Sequence, residues 1–152
     1  MKFKLSDMSA VLKFQKLPLD RLNFVKREVA GEAAIRLGKK APVLTGRYRA
    51  GFNISINGID FTIPNPAPKE YIKNRKEYYK FDETKARKAF EGVTLQVDDE
   101  IFISNSLPYA EALENGHSRQ APQGIFRVVV PEVKEDINRY ARIAANKDGG
   151  LK

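Results

Sequence analysis

From Leu19 to Lys40 the apolar residues Leu19, Leu22, Val25, Val29, Ala33 and Leu37 recur at three- and four-residue steps, so they share one helical face. Pro18 to Asp20 supplies a start, and Gly38, Lys39 and Lys40 before Pro42 supply a stop. Gly31 weakens this helix by about 1 kcal/mol relative to alanine. The period then changes to two. Phe52, Ile54 and Ile56 alternate with Asn53, Ser55 and Asn57, and Ile59, Phe61 and Ile63 alternate with Asp60 and Thr62. Asn57-Gly58 between the two runs suits a two-residue hairpin turn. Val93, Leu95 and Val97, a polar turn at Asp98 to Glu100, and then Ile101 and Ile103 predict a second hairpin. Toward the end, Val133, Ile137, Tyr140, Ala141 and Ala144 fall on one helical face, with Pro131 suited to a first turn. Ile125 to Val130 reads equally as a strand or as the buried start of that helix. The expectation is an α+β fold: an antiparallel sheet of four to five strands packed against a long N-terminal helix, with a C-terminal helix.

The chain has 152 residues, which suits a single domain spanning 1–152 that buries a core without disulfides or a structural metal. Two parts depart from the regular pattern. Residues 64–90 open with the run PNPAP and continue as a dense mixture of charged and aromatic residues. This predicts an excursion from the sheet that is ordered mainly by a partner. Residues 146–152 are expected to fray.

Cysteine is absent, which excludes disulfides, thiolate zinc sites and thiol nucleophiles, and fits a reducing cytoplasm. The apolar residues near the N-terminus are broken by Lys4, Ser6, Asp7 and Lys13, unlike the continuous core of a signal peptide, and no run is long enough for a membrane span. The net charge is +8 and the pI about 9.7, compatible with nucleic acid, acidic protein surfaces or simple solubility.

Little in the sequence suggests catalysis. His117 is the only histidine, so paired-histidine metal sites are excluded, and it reads as a loop residue beside Gly116. Ser118 and Asp98 could complete a triad with it only on paper, because no Gly-x-Ser-x-Gly elbow is present. Glycine-rich phosphate loops are missing too. The expectation is a protein that is not an enzyme and uses no cofactor and no metal. Between Lys69 and Lys88, the cations Lys69, Lys73, Arg75, Lys76, Lys80, Lys85, Arg87 and Lys88 interleave with Tyr71, Tyr78, Tyr79 and Phe81, a mixture able to contact phosphates and stack on bases. Glu70, Glu77, Asp82 and Glu83 offset half of the segment's charge, and tyrosines also favour protein interfaces.

Two further blocks stand out. Pro42, Thr45, Gly46, Arg47 and Arg49 form a corner between the first helix and the first strand, with Tyr48 among them. Pro108, Tyr109, Ala110, Glu114 and Gly116 follow a strand and enclose a single helical stretch. In order and separation these blocks resemble the Pro-x-x-Thr-Gly-x-x-Arg and Pro-Tyr-Ala-x-x-x-Glu-x-Gly signatures of the small neck, or tail-completion, proteins of long-tailed bacteriophages. The Gln-Ala-Pro-x-Gly stretch from Gln120 to Gly124 is a further similarity. The signatures cover about a fifth of the chain, and the element order extends the likeness from Leu19 to Ala145. Tyr48, where an aliphatic residue is usual, and the long segment 64–90 depart from the family pattern.

The resemblance implies a virion structural protein, made in the host cytoplasm and placed in the neck or tail. It would join the head–tail junction or close the upper end of the tail as a homo-oligomeric ring, expected to be a hexamer, around the DNA channel. Its partners would be itself and neighbouring neck and tail proteins, with packaged DNA nearby and no membrane. Thr45, Gly46, Arg47, Arg49, Tyr109, Glu114 and Gly116 become candidates for contacts between subunits or with partners, against internal roles in the fold. Lys73, Arg75, Lys76 and Lys80 become candidates for contacts with the DNA channel or with acidic partners. The alternative from another class is a nucleic-acid-binding module that uses the Lys69 to Lys88 surface.

Overall fold

The computed structural model describes residues 2–4 and 18–146. Strand β1 (Lys2–Lys4) is followed by helix α1 (Leu19–Lys40), the short helix α2 (Arg47–Ala50) and strand β2 (Phe52–Ile56). Helices α3 (Lys69–Lys73) and α4 (Glu83–Arg87) and a 3-10 turn at Lys88–Phe90 come next. Strand β3 (Ile101–Asn105) and helices α5 (Ala110–Glu114) and α6 (Phe126–Asn146) complete the order. Of the fraying expected at 146–152, Asn146 is the last residue of α6, and residues 147–152 lie outside the described residues.

Helix α1 forms as its periodicity predicts. Leu22, Val25, Val29, Ala33 and Leu37 are buried, while Leu19 at the first turn is exposed. Each large apolar side chain so buried contributes roughly 1.5–3 kcal/mol. Helix α6 lies antiparallel to α1 and adds Val129, Val133 and Ile137 to the same core. A polar seam runs beside that core. Buried Asp136 accepts from Arg36 Nε at 2.8 Å and Nη2 at 3.1 Å, and Arg36 Nη1 reaches Glu132 at 2.9 Å. Farther along, Glu32 accepts from Arg87 and from the Tyr140 hydroxyl, both at 3.0 Å. Bidentate arginine and paired acceptors fix the rotation of one helix against the other as well as their separation.

The sheet is smaller than the alternating runs suggest. Among the described residues it has three antiparallel strands in the order β1-β3-β2, of which only β2 and β3 lie within residues 18–146. The expected four to five strands are therefore corrected to three. Ile54 pairs with Ile103 and Ile56 with Ile101 on the face that meets the helices. The predicted strand at Ile59 to Ile63 is absent, because Asn57 does not turn the chain back on itself. Its N–H instead extends the ladder to the Glu100 carbonyl at 2.8 Å, and its side chain joins the Glu100 N–H and the Asp99 carboxylate. Residues 58–62 then cross the outer face of the sheet, held by side chains: Asn53 Nδ2 donates to the carbonyls of Asp60 and Thr62, and Ser104 Oγ donates to that of Asp60.

The predicted strand at Val93 to Val97 is absent too, because helix α1 takes its polar groups. The Lys26 ammonium donates to the carbonyls of Gln96, Val97 and Asp99 at 2.9, 3.0 and 2.9 Å. Asn23 Oδ1 accepts from the Leu95 N–H at 2.6 Å, and Leu95 is fully buried. Burial lowers the pKa of Lys26, opposed by the nearby charges of Asp99 and Asp98.

Helix α6 begins at Phe126, five residues before the expected start at Pro131, so Ile125 to Val130 is not a strand. A carboxylate distant in sequence supplies the missing cap, as described next.

Candidate interface

The corner after α1 turns on Gly46. Its φ is 81°, a left-handed conformation, and a Cβ there would lie 2.1 Å from the Tyr79 carbonyl oxygen. Just before it, the Thr45 carbonyl accepts from the N–H groups of both Tyr78 and Tyr79 at 2.9 Å. Arg47 Nε donates to the Pro64 carbonyl at 2.9 Å. Arg49 reaches Glu77 at 3.3 Å, with its guanidinium 5.2 Å from the centre of the Phe81 ring. On the far side Phe81 seats against α1 where Gly38 has no side chain, and Gly31 gives α4 the same close approach at Arg87. Segment 64–90 is therefore an arm ordered by the chain's own corner and helix, not mainly by a partner. Thr45, Gly46, Arg47 and Arg49 are its clasp.

The arm carries α3 at its end. There Lys76 N–H bonds to the Tyr71 carbonyl and Arg75 N–H to that of Ile72, the paired closure of a Schellman motif. The left-handed position of that motif, usually glycine, is Arg75 with φ 51°. A side chain in this conformation costs on the order of 1 kcal/mol. Lys73, Arg75, Lys76 and Lys80 are all exposed, and the first three form no ion pair among the described residues. In the same segment Tyr71, Tyr78 and Tyr79 stack edge to face, with centroids 5.1 and 4.9 Å apart, and Ile72 and Tyr78 are each nearly half exposed.

The second block is built around Glu114. This carboxylate is buried, and it accepts from the N–H groups of Ile125 at 2.9 Å, Phe126 at 3.0 Å and Arg127 at 2.8 Å. Three donors at the first turn of a long helix are the groups a helix leaves unpaired, and a negative charge also suits the positive end of its dipole. Glu114 is thus the cap of α6. Gly116, with φ 85°, closes α5 in a second Schellman motif and lets the Pro122 carbonyl approach where a Cβ would sit at 2.5 Å. Both residues act inside the fold.

The blocks meet in space. The Tyr109 ring lies 6.3 Å from that of buried Tyr48, which packs edge on against Phe52 at 5.2 Å. Burial raises the pKa of Tyr109, while Arg47 beside it opposes the shift. Gln120 in the third block pairs its side-chain amide with the backbone of Val43, accepting at 2.9 Å and donating at 3.1 Å as a neighbouring strand would. Arg47 and Tyr109, the latter 37% exposed, remain at the surface of this junction. The roles of Lys26, Gln120 and the Arg36–Asp136 pair could not be read from the sequence, because each acts through a group far away in the chain.

No group of three or more histidine, cysteine, aspartate and glutamate side chains among the described residues is placed to hold a metal ion. Nor is any helix among them long and apolar enough to cross a membrane. Comparison with protein-family models, curated proteins and solved structures finds no match to this chain.

Proposed function

We propose that the chain is a structural assembly protein of a phage virion, a neck or tail-completion component that forms a homo-oligomeric ring at the head–tail junction or the upper end of the tail. One observation carries the reading: the three blocks behind the resemblance converge on a single corner, and that corner holds a cationic arm in a fixed position. A subunit of a ring must offer two different surfaces to its neighbours. Arg47 and Tyr109 belong to one such surface, and Lys73, Arg75, Lys76 and Lys80 to the other, facing an acidic neighbour or the DNA channel. Thr45, Gly46, Arg49, Glu114 and Gly116 support these surfaces from within.

Light scattering across concentration and salt, alone and with tailless heads or free tails of the parent particle, tests this. A ring in solution, or saturable capture by either particle, is the expected result. A monomer that ignores both particles refutes it. Lys73, Arg75 and Lys76, exposed and without an ion pair among the described residues, together with the stacked tyrosines of the same arm, favour one alternative, a nucleic-acid-binding module. That reading predicts salt-sensitive DNA binding by the isolated monomer, weakened for all sequences alike when Lys73, Arg75 and Lys76 are reversed in charge, and it fails if no binding occurs at low salt.

A further inference from the structure

The tip of the arm, residues 69–76, carries Lys69, Lys73, Arg75 and Lys76 against the single carboxylate of Glu70. All four cations are exposed, and their side chains form no hydrogen bond or ion pair with the described residues. Lys80 differs from them, because Glu77 takes up both it and Arg49. The tip is nonetheless held in place. Two backbone hydrogen bonds of the Schellman motif close it, and its base is tied to the corner through the Thr45 carbonyl and through the Tyr79 hydroxyl, which donates to the Asn65 carbonyl at 2.8 Å. Arg75, with φ 51°, occupies the one position of that motif where glycine is the least strained residue. A helix C-terminus attracts cations through its dipole, but Lys73 and Lys76 already serve that attraction, and it does not call for a side chain at the left-handed position.

We propose that the arm tip binds the phosphate backbone of duplex DNA without regard to sequence, and that Arg75 is its anchor. A residue kept in a strained conformation that glycine would relieve is the mark of a functional contact. The inference rests on the arm as the cationic surface of the proposed function and requires nothing of the ring. Phosphates need only charge within reach, and four unpaired cations on a fixed scaffold supply it. Protein partners are gripped mainly by side chains seated in pockets, and a tip of which no residue from 69 to 76 is buried offers no enclosed seat for one. The tyrosines are not free platforms for bases either. Tyr71, Tyr78 and Tyr79 are engaged edge to face with one another, which favours the duplex over single strands.

The test follows the anisotropy of a fluorescent duplex of about 20 bp and mixed sequence, titrated with the full chain between about 50 and 200 mM salt. Four phosphate contacts predict a slope of log K against log salt of about −3 to −4 for each arm engaged. Arg75→Gly should weaken binding about tenfold at about 50 mM salt and reduce that slope by about a quarter, while leaving Tm no lower than in the parent. Arg75→Lys keeps the charge and should bind within about threefold of the parent. Lys134→Ala, which removes an exposed charge from α6, should bind as the parent does. An Arg75→Gly variant that binds as tightly as the parent, or that lowers Tm, would overturn the role of Arg75 and leave the arm standing as a contact surface. No duplex binding at about 50 mM salt, or a glutamate homopeptide of equal charge bound as tightly, would overturn DNA as the partner, and light scattering would still judge the ring. Single strands bound more tightly than the duplex would overturn the phosphate contact in favour of base stacking.

Discussion

Replacing Glu114 by glutamine tests whether this residue acts inside the fold or at an interface. The substitution keeps the shape of the side chain and removes its charge. One oxygen remains to serve Ile125 and Phe126, but an amide nitrogen would face the Arg127 N–H where Oε1 now accepts at 2.8 Å. A hydrogen bond to a charged group is worth about 1.5–3 kcal/mol, and the favourable dipole term is lost as well. The expected cost is about 3 kcal/mol, a large part of the roughly 5–15 kcal/mol that holds a typical domain together. For a chain of this length that corresponds to a fall in Tm of about 6–12 °C. Urea unfolding followed by circular dichroism measures it, with an unchanged m-value showing that the loss is one of stability. A loss below about 0.5 kcal/mol, or normal stability combined with failed assembly, would refute the capping role.

Gly46→Ala should destabilise by about 3 kcal/mol or more, because it combines a left-handed φ with a collision at the Tyr79 carbonyl, and limited proteolysis should then cut within residues 64–90. Tyr48→Phe should raise stability by about 1 kcal/mol in thermal unfolding: the Tyr48 hydroxyl is buried with no hydrogen-bond partner among the described residues, and a loss would show that it is satisfied. For Glu32, burial would raise the pKa, but hydrogen bonds from Arg87 and Tyr140 and the charges of Arg87 and Arg139 outweigh it and hold the group below its usual 4.5. A depressed carboxylate contributes stability that is complete above the unfolded value and lost as the pH falls through the folded one. Unfolding titrations should accordingly be less steep below pH 4.5 in Glu32→Gln than in the parent, and identical slopes would refute the linkage.

What could be read from the sequence was what local spacing controls. The buried face of α1 follows from steps of three and four between Leu22 and Leu37, and that of α6 from Val133, Ile137, Ala141 and Ala144. The start of α6 could not be read, because its cap is the side chain of Glu114, which lies outside the helix. The sheet was overcounted for a related reason. Val93 to Val97 alternates as a strand does, yet one lysine and one asparagine of α1 take up its polar groups, and nothing local reveals that competition. Asn57-Gly58 has hairpin chemistry, and Asn57 does adopt a φ of 58°, but its side chain bonds across to Glu100 and prevents the return strand from pairing. At the corner, Thr45-Gly46 announced a turn, while the carbonyl that makes glycine necessary belongs to Tyr79 in the arm.

The arm lies between two strands that are direct neighbours in the sheet, so the whole of residues 57–100 is a single loop closed by the β2–β3 ladder. The entropy of closing a loop grows only with the logarithm of its length, and each doubling costs about 0.6 kcal/mol. Once the ladder holds both ends, the length and composition of the arm are nearly decoupled from the stability of the core. Thr45, Gly46, Arg47 and Arg49 at the corner, and Gly31, Glu32 and Gly38 on α1, set where it touches down. Residues 69–76 form the part of the arm most open to evolutionary change, where a lineage can lengthen, shorten or recharge its contact surface without rebuilding the fold beneath it.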